Sequence, residues 1–279
     1  MLRDAIKKIF WTLIYFSGIN FIYNKAFPIR LVLIGGHSVS SKENKKELSN
    51  ELYQELSIDK EFLEAQIRYL LKGGYKFLNF EQVNKLLEEN KKLPQKTAIM
   101  YFDDGWRDNY LNAYPVFNKY NLPFVIFVST DLIDQKRLIP SLEKRVRGTQ
   151  VQERMFLNWD EARKMSNLAE IGSHGATHRD FPGLSNGELK EELWASIKRI
   201  KEEIGKAPVA LSFPHGRYNQ EIKRLVAETG FKFAVTTKRG WADLRDKLEL
   251  KKITIYPEDS MLIFKLKLGI FYKIKNLLK

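Results

Sequence analysis

Four histidines and one pair of adjacent aspartates hold most of the chemistry available to this 279-residue chain. Asp103 and Asp104 end the apolar run Thr97–Phe102 and are followed by Gly105. His174 and His178 are four residues apart, while His37 and His215 stand singly. On a helical turn or a tight loop, two histidines four apart can reach one ion at about 2.0–2.1 Å. Gly175 follows His174, so the pair is not the His-Glu-x-x-His of zinc proteases. Two imidazoles and one carboxylate make a facial set that leaves positions for water and substrate. One aspartate would then bind the metal, and the other, left free beside it, is placed to act as a general base. Neighbouring side chains on a strand point to opposite faces, which suits such a division. The plainer alternatives are an N-cap and turn for Asp103–Gly105 and capping or surface positions for the histidines. Two acids directly after a buried strand cost desolvation unless something pairs with them, which favours the chemical reading.

The elements that must position these residues follow from the hydrophobic pattern. Apolar, β-prone runs occur at Arg30–Gly36, Tyr75–Phe80, Thr97–Phe102, Pro123–Ser129, Leu168–Ile171, Val209–Phe213, Phe231–Thr237 and Lys252–Tyr256. Between them lie helical segments. Asp59 caps one with Phe62, Ile67, Leu70 and Leu71 at core spacing, ended by Gly73-Gly74. Others run over Glu81–Asn90, Asn109–Tyr120, from Asn158-Trp159-Asp160, from Ser185 to Ile204, and over Gln220–Glu228. Alternation of this kind reads as parallel βα units, and seven or eight of them in one chain favour a (β/α) barrel over an open sheet. All four histidines and both aspartates fall just beyond the C-terminal end of a predicted strand, the edge where α/β folds bind ligands.

Composition sets the limits. The absence of cysteine excludes disulfides, thiolate metal sites and cysteine nucleophiles. A net charge of +13 suggests an anionic partner: a membrane surface, an acidic polymer or nucleic acid; a solvated lysine-rich surface is the plainer account. Nucleic acid is disfavoured, because no aromatic-basic strand pattern of RNA readers is present. Residues 1–28 combine early basic residues with the uncharged run Ile9–Tyr23, too short for a spanning helix and rich in interfacial aromatics. They read as a membrane-associating amphipathic segment, peripheral or signal-anchored, with a helix packed on the domain as the alternative. Residues 261–279 mix Leu, Ile and Phe with lysines and no acid, and read as a basic amphipathic tail with the same two options. Residues 131–157 lack a period and read as an insertion loop beside the strand ends. The domain proper is 29–260.

Taken together, Tyr101-Phe-Asp-Asp-Gly105, Ser173-His-Gly-Ala-Thr-His178 and Phe213-Pro-His-Gly-Arg-Tyr218 resemble the first three motifs of the polysaccharide deacetylases (the NodB homology domain, carbohydrate esterase family 4). Order and spacing agree, as does the Trp159-containing helix. The Gly35-Gly-His-Ser-Val39 opening is similar to that of one bacterial branch. The resemblance covers about residues 29 to 260. It implies a distorted (β/α) barrel that removes N-acetyl groups from the amino sugars of a polysaccharide or lipid-linked glycan, using a divalent metal, usually zinc. By that resemblance Asp103 is the base, Asp104, His174 and His178 hold the ion, and a backbone N–H near His215 faces the oxyanion. The third motif and the later loop place Pro214, Gly216, Tyr218 and Trp241 at the substrate.

Three departures stand out. Ser212 occupies the position of an arginine that steadies the base in many members. His215 stands where tyrosine is common. The late histidine that serves as general acid has no counterpart near Ile253–Asp259. His37 and His215 are therefore the remaining acid candidates, with His37 favoured because its strand should adjoin that of Asp103. Arg217 or Arg239 is the candidate replacement for the arginine. A different amide or formyl hydrolase on a lipid-linked sugar, and an inactive glycan-binding barrel, are the competing readings.

Overall fold

The computed structural model of the chain describes residues 2–27, 30–41, 56–134 and 155–277. Among the described residues there are ten strands: β1 (Arg30–Gly36), β2 (Ser38–Ser40), β3 (Ser57–Asp59), β4 (Lys76–Phe77), β5 (Lys96–Phe102), β6 (Phe124–Val128), β7 (Ala169–Ser173), β8 (Ala210–Ser212), β9 (Phe233–Arg239) and β10 (Leu250–Thr254). The helices are α1 (Leu2–Phe16), α2 (Ile19–Ala26), α3 (Lys60–Lys72), α4 (Phe80–Glu88), α5 (Tyr114–Lys119), α6 (Trp159–Met165), α7 (Asn186–Ile204), α8 (Gln220–Glu228), α9 (Met261–Lys267) and α10 (Phe271–Leu277).

Seven strands close a parallel ring in the order β1-β10-β9-β8-β7-β6-β5, and β5 pairs back to β1. The closing register is long, from Arg30 opposite Lys96 to Gly36 opposite Phe102. The two-residue β4 shares the edge of β5 with β6, pairing at Thr97 and Ala98 below the β6 contacts at Tyr101 and Phe102. The expected barrel is thus formed, with β4 as a pendant to seven closing strands. The Tyr75–Phe80 run shrinks to two paired residues because Asn79 leaves the strand to cap α4, accepting the Gln82 N–H.

Side-chain alternation splits each strand between two cores. Leu31, Leu33, Ile99, Tyr101, Val125, Phe127, Phe233, Val235 and Leu250 fill the barrel, together with Phe80 and Val83 of α4. Val32, Ile34, Met100, Phe102, Ile126 and Ile171 face the outer helices. Helix α4 plugs the bottom: the Phe80 ring lies 5.3 Å from that of Phe233 and 6.0 Å from that of Phe127. The buried Glu170 carboxylate of β7 sits beneath the helix start and accepts the Glu81 N–H at 3.0 Å. Leu71, expected inside α3, faces solvent, and Leu63 takes the inner position.

The 261–279 segment, read as a basic amphipathic tail with a helix packed on the domain as the alternative, is described as far as Leu277. It forms α9 and α10, and Phe264, Leu266, Leu268 and Phe271 are buried. Lys267 is buried as well, paired with Asp259 and donating to the Thr254 carbonyl at 3.0 Å. Of the 1–28 segment, Leu2–Phe16 and Ile19–Ala26 form α1 and α2, broken at Gly18 with φ 77°. Among the described residues no helix is long and apolar enough to cross a membrane. Most of the expected insertion, 135–154, lies outside the described residues.

Candidate active site

The C-terminal ends of the strands surround a cleft of about 440 Å³, lined by His37, Asp103, Asp104, His174, His178, His215, Lys252 and Tyr256 among others. All four histidines and both aspartates therefore converge on one mouth, as their strand-end positions predicted.

Asp104 stands at its centre. The chain reverses sharply after β5, with left-handed φ at Asp104 (75°) and Gly105 (79°). An aspartate tolerates this region better than most residues with a Cβ. The turn brings the Asp104 carboxylate back over the barrel although strand alternation would aim it outward. Its Oδ1 lies 3.4 Å from His174 Nε2 and 3.3 Å from His178 Nε2. Its Oδ2 accepts the Trp106 indole N–H at 3.1 Å. Burial alone would raise the Asp104 carboxyl, but the two imidazoles hold it well below the usual carboxylate range.

The three ligand atoms fit a metal ion. Tetrahedral ligands at about 2.0–2.1 Å from an ion stand about 3.3 Å apart, which the two Asp104–histidine separations match. The His174 Nδ1 lies 2.7 Å from the Ser212 carbonyl, so it carries the proton and leaves Nε2 free to ligate. The histidine spacing works through a loop and not a helix, because Gly175 (φ 78°) and His178 (φ 60°) are both left-handed. Glu192 of α7 holds that loop, accepting the Thr177 N–H at 2.7 Å and the Thr177 hydroxyl. A Cβ on Gly175 would come within 2.8 Å of the same carboxylate.

Asp103 continues the inward parity of Ile99 and Tyr101 and is buried. Its Oδ2 lies 3.7 Å from the ammonium of Lys252, also buried, on β10. Its Oδ1 has no hydrogen-bond partner among the described residues. Lys252 is the inward neighbour of Leu250 on the same strand, and its Nζ lies 5.7 Å from the Tyr101 ring centre. A cation thus reaches Asp103 from the last strand rather than from the Ser212 position. Neither expected substitute does so: Arg217 pairs with Asp180 at the surface, and Arg239 donates to the Tyr256 hydroxyl at 2.8 Å. Sequence reasoning missed Lys252, although the alternation Leu250-x-Lys252 places it on the barrel's inner face.

The polysaccharide deacetylase family model matches residues 90–234, just over half of the chain and spanning all three motifs. The chain belongs to the polysaccharide deacetylase family. It is 27% identical over 216 residues to Bacillus subtilis YxkH, named as a polysaccharide deacetylase, covering 77% of this chain and 67% of that protein. It is 21% identical over 192 residues to the poly-beta-1,6-N-acetyl-D-glucosamine N-deacetylase of Staphylococcus aureus, covering 68% of this chain and 62% of the relative. The match to the Escherichia coli enzyme of the same name covers 43% of this chain and only 18% of that larger protein. Among solved structures, the fold matches the Streptococcus pyogenes deacetylase PplD with a TM-score of 0.71 at 22% identity, covering 87% of this chain and 99% of that one. A de-N-acetylase from Aggregatibacter actinomycetemcomitans gives the same TM-score at 23% identity, covering 85% and 99%.

His37 follows β1 at the cleft wall. Burial lowers its pKa, against the pull of Asp104 and Asp103. Its carbonyl accepts the Asn109 side-chain amide at 2.9 Å, which fixes the turn. His215 is left-handed (φ 56°), and its ring meets that of His178 edge-on at 4.7 Å. Burial and then His178 lower its pKa. Gly216 (φ 66°) lines the cleft against Thr237, where a Cβ would overlap that side chain.

Of the other residues assigned to the substrate, Pro214, Tyr218 and Trp241 fall outside this cleft lining. Trp241 lies away from the cleft lining: its indole N–H donates to the Leu268 carbonyl at 3.1 Å, and its ring packs on Tyr23 at 5.5 Å. Tyr218 stacks on Phe213 at 4.7 Å and Pro214 is buried in the turn, so both shape the loop from behind. Tyr256 and Arg239 line the mouth instead.

Proposed function

We propose that this chain is a metal-dependent hydrolase that removes N-acetyl groups from the amino sugars of a polysaccharide or lipid-linked glycan. The observation that carries the reading is the Asp104–His174–His178 set at ligand spacing beside a separate, lysine-paired carboxylate, Asp103. Asp104, His174 and His178 would hold the divalent ion, with zinc the first candidate for an Asp-His-His set. When bound, such an ion acidifies water and polarises a carbonyl.

The chain's own groups supply the rest. Asp103 presents the unpartnered Oδ1, where it can accept a proton from water attacking the acetamide carbon. Lys252, 3.7 Å from Oδ2, orients the carboxylate. The left-handed turn at His215 and Gly216 presents backbone to the cleft, and an N–H there is suited to the oxyanion. His37, held neutral by burial, can take the proton onward and deliver it to the departing nitrogen. The products balance as acetate and a protonated amine. An inactive barrel drew its support from Ser212 and the missing histidine, and Lys252 and His37 remove much of that support.

A β-1,6-linked N-acetylglucosamine polymer, named for the Staphylococcus and Escherichia relatives, is the first substrate to try. The test is acetate release from a panel of N-acetylated glycans by the metal-loaded protein, with Asp103→Asn as control. Release by the wild type alone supports the reading. Undiminished release by Asp103→Asn would falsify the base assignment, and no release from any N-acetylated sugar would overturn the function.

A further inference from the structure

Helices α1 and α2 have two unlike faces. One is docked on the domain: Trp11 stacks on Phe271 at 4.3 Å, and Lys265 of α9 lies 5.7 Å from the Tyr15 ring centre. At the junction of the helices Asn20 is buried, and its Oδ1 accepts the Ile270 N–H at 3.1 Å. A buried polar contact of that kind permits one rotation of α2, because any other would strand the amide and the N–H. The opposite face is fixed by the same contact, and it is apolar. Leu13 is 65% exposed, Phe16 74%, Phe21 73% and Ile22 66%, flanked by Ile9 and Ile19. Scattered exposed apolar side chains are ordinary on a protein surface, but a continuous run over two helices marks an interaction surface.

Charge identifies the partner. Residues 5–27 and 260–279 together contain eight lysines and no acidic residue, and seven lysines remain when Lys267, buried against Asp259, is set aside. Bringing two copies together through this face would juxtapose two lysine-rich, acid-free segments. An interface of apolar acyl chains beneath anionic headgroups complements both features. We propose that the exposed face of α1 and α2 docks in the plane of an anionic lipid surface, with Phe16, Phe21 and Ile22 at the headgroup–acyl boundary and the exposed Lys25 and Lys273 against the headgroups.

The docking is coupled to the cleft through α9. Lys267 on that helix lies 4.7 Å from the ring centre of Tyr256 and donates to the Thr254 carbonyl, and both residues line the cleft. The lipid-facing helices and the cleft rim are therefore mounted on one element, which would hold the cleft close to glycans at the membrane surface. That consequence rests on the deacetylase reading, whereas the docking does not.

The test is co-sedimentation of the full chain with phosphatidylcholine vesicles, with and without phosphatidylglycerol, at low and high salt. Burying each phenylalanine side chain strengthens docking by at least about tenfold. Phe16→Glu/Phe21→Glu is expected to weaken binding to the anionic vesicles at least about tenfold, and salt to weaken that of the wild type. Phe16→Ser/Ile22→Ser is the milder second pair, and an unchanged melting temperature shows that a variant is folded. Failure of the wild type to bind anionic vesicles overturns the proposal, as does equal binding by folded variants. A solution dimer that the variants convert to monomer, without vesicle binding, also overturns it in favour of self-association. Acetate release from soluble glycans, measured in parallel, reports on the deacetylase reading separately.

Discussion

Replacing Lys252 tests the electrostatics of the cleft most directly. Its ammonium stands 3.7 Å from Asp103 Oδ2, with both groups buried. At an effective dielectric of about 20, two unit charges at that separation attract by about 4.5 kcal/mol. Water entering the open mouth reduces this, so about 1.5–3 kcal/mol is the working range. Lys252→Met leaves the Asp103 carboxylate buried without the cation that orients it. The expected result is a fall in kcat/KM of about one to two orders of magnitude at neutral pH. Lys252→Arg, which keeps the charge, recovers part of that loss. Bound metal measured on the same samples should stay at the wild-type level, because Lys252 does not contact Asp104, His174 or His178 in the manner of a ligand. A folded Lys252→Met enzyme with the wild-type kcat/KM would refute the claim that this lysine supports Asp103.

Three further outcomes are expected. Elemental analysis of the reconstituted wild type should give about one equivalent of divalent metal, and Asp104→Ala or His178→Ala less than about a tenth of that; full occupancy in either variant removes the residue from the set. His37→Ala should lower kcat by about 10²–10⁴-fold and change the basic limb of the profile, with folding followed by melting temperature; an unchanged rate transfers the acid role elsewhere. Glu170 at the barrel bottom is held protonated up to about 8 by burial, against an ordinary 4.5, so the native state binds its proton more tightly than the unfolded chain. Stability from this group is therefore present below pH 4.5 and lost as pH rises toward 8, by about 3 kcal/mol at pH 7 at one unit per 1.36 kcal/mol. Glu170→Gln still accepts from the Glu81 N–H, so denaturant titrations should show it more stable than wild type at pH 7.5 and equal to it near pH 4; a gain of the same size at both would exclude ionisation as the cause.

The parts of the site legible in the sequence were those carried by strand ends. Asp103, Asp104, His174 and His178 each follow an apolar run that could only be a buried strand, and a parallel ring gathers such positions on one rim. Trp241 and Lys252 show where that logic stops. Trp241 follows β9, whose end lies on the rim, but the chain turns back there: Ala242 bridges antiparallel to Leu31, and the indole ends against α2 and the Leu268 carbonyl. No local signal marks a loop that folds down the outside of a barrel. Ser212 occupies the chain position of an arginine, whereas the cation beside Asp103 arrives from forty residues later. What decides the matter is closure. Because β10 pairs with β1, and β1 with β5, the inward residue of β10 above Leu250 comes across the barrel mouth to the inward residue that ends β5. A charge at that layer can be supplied by any strand of the ring, and the chain supplies it from the last one. The cation beside Asp103 is thus a property of the closed ring and its register, which a motif compared strand by strand does not contain.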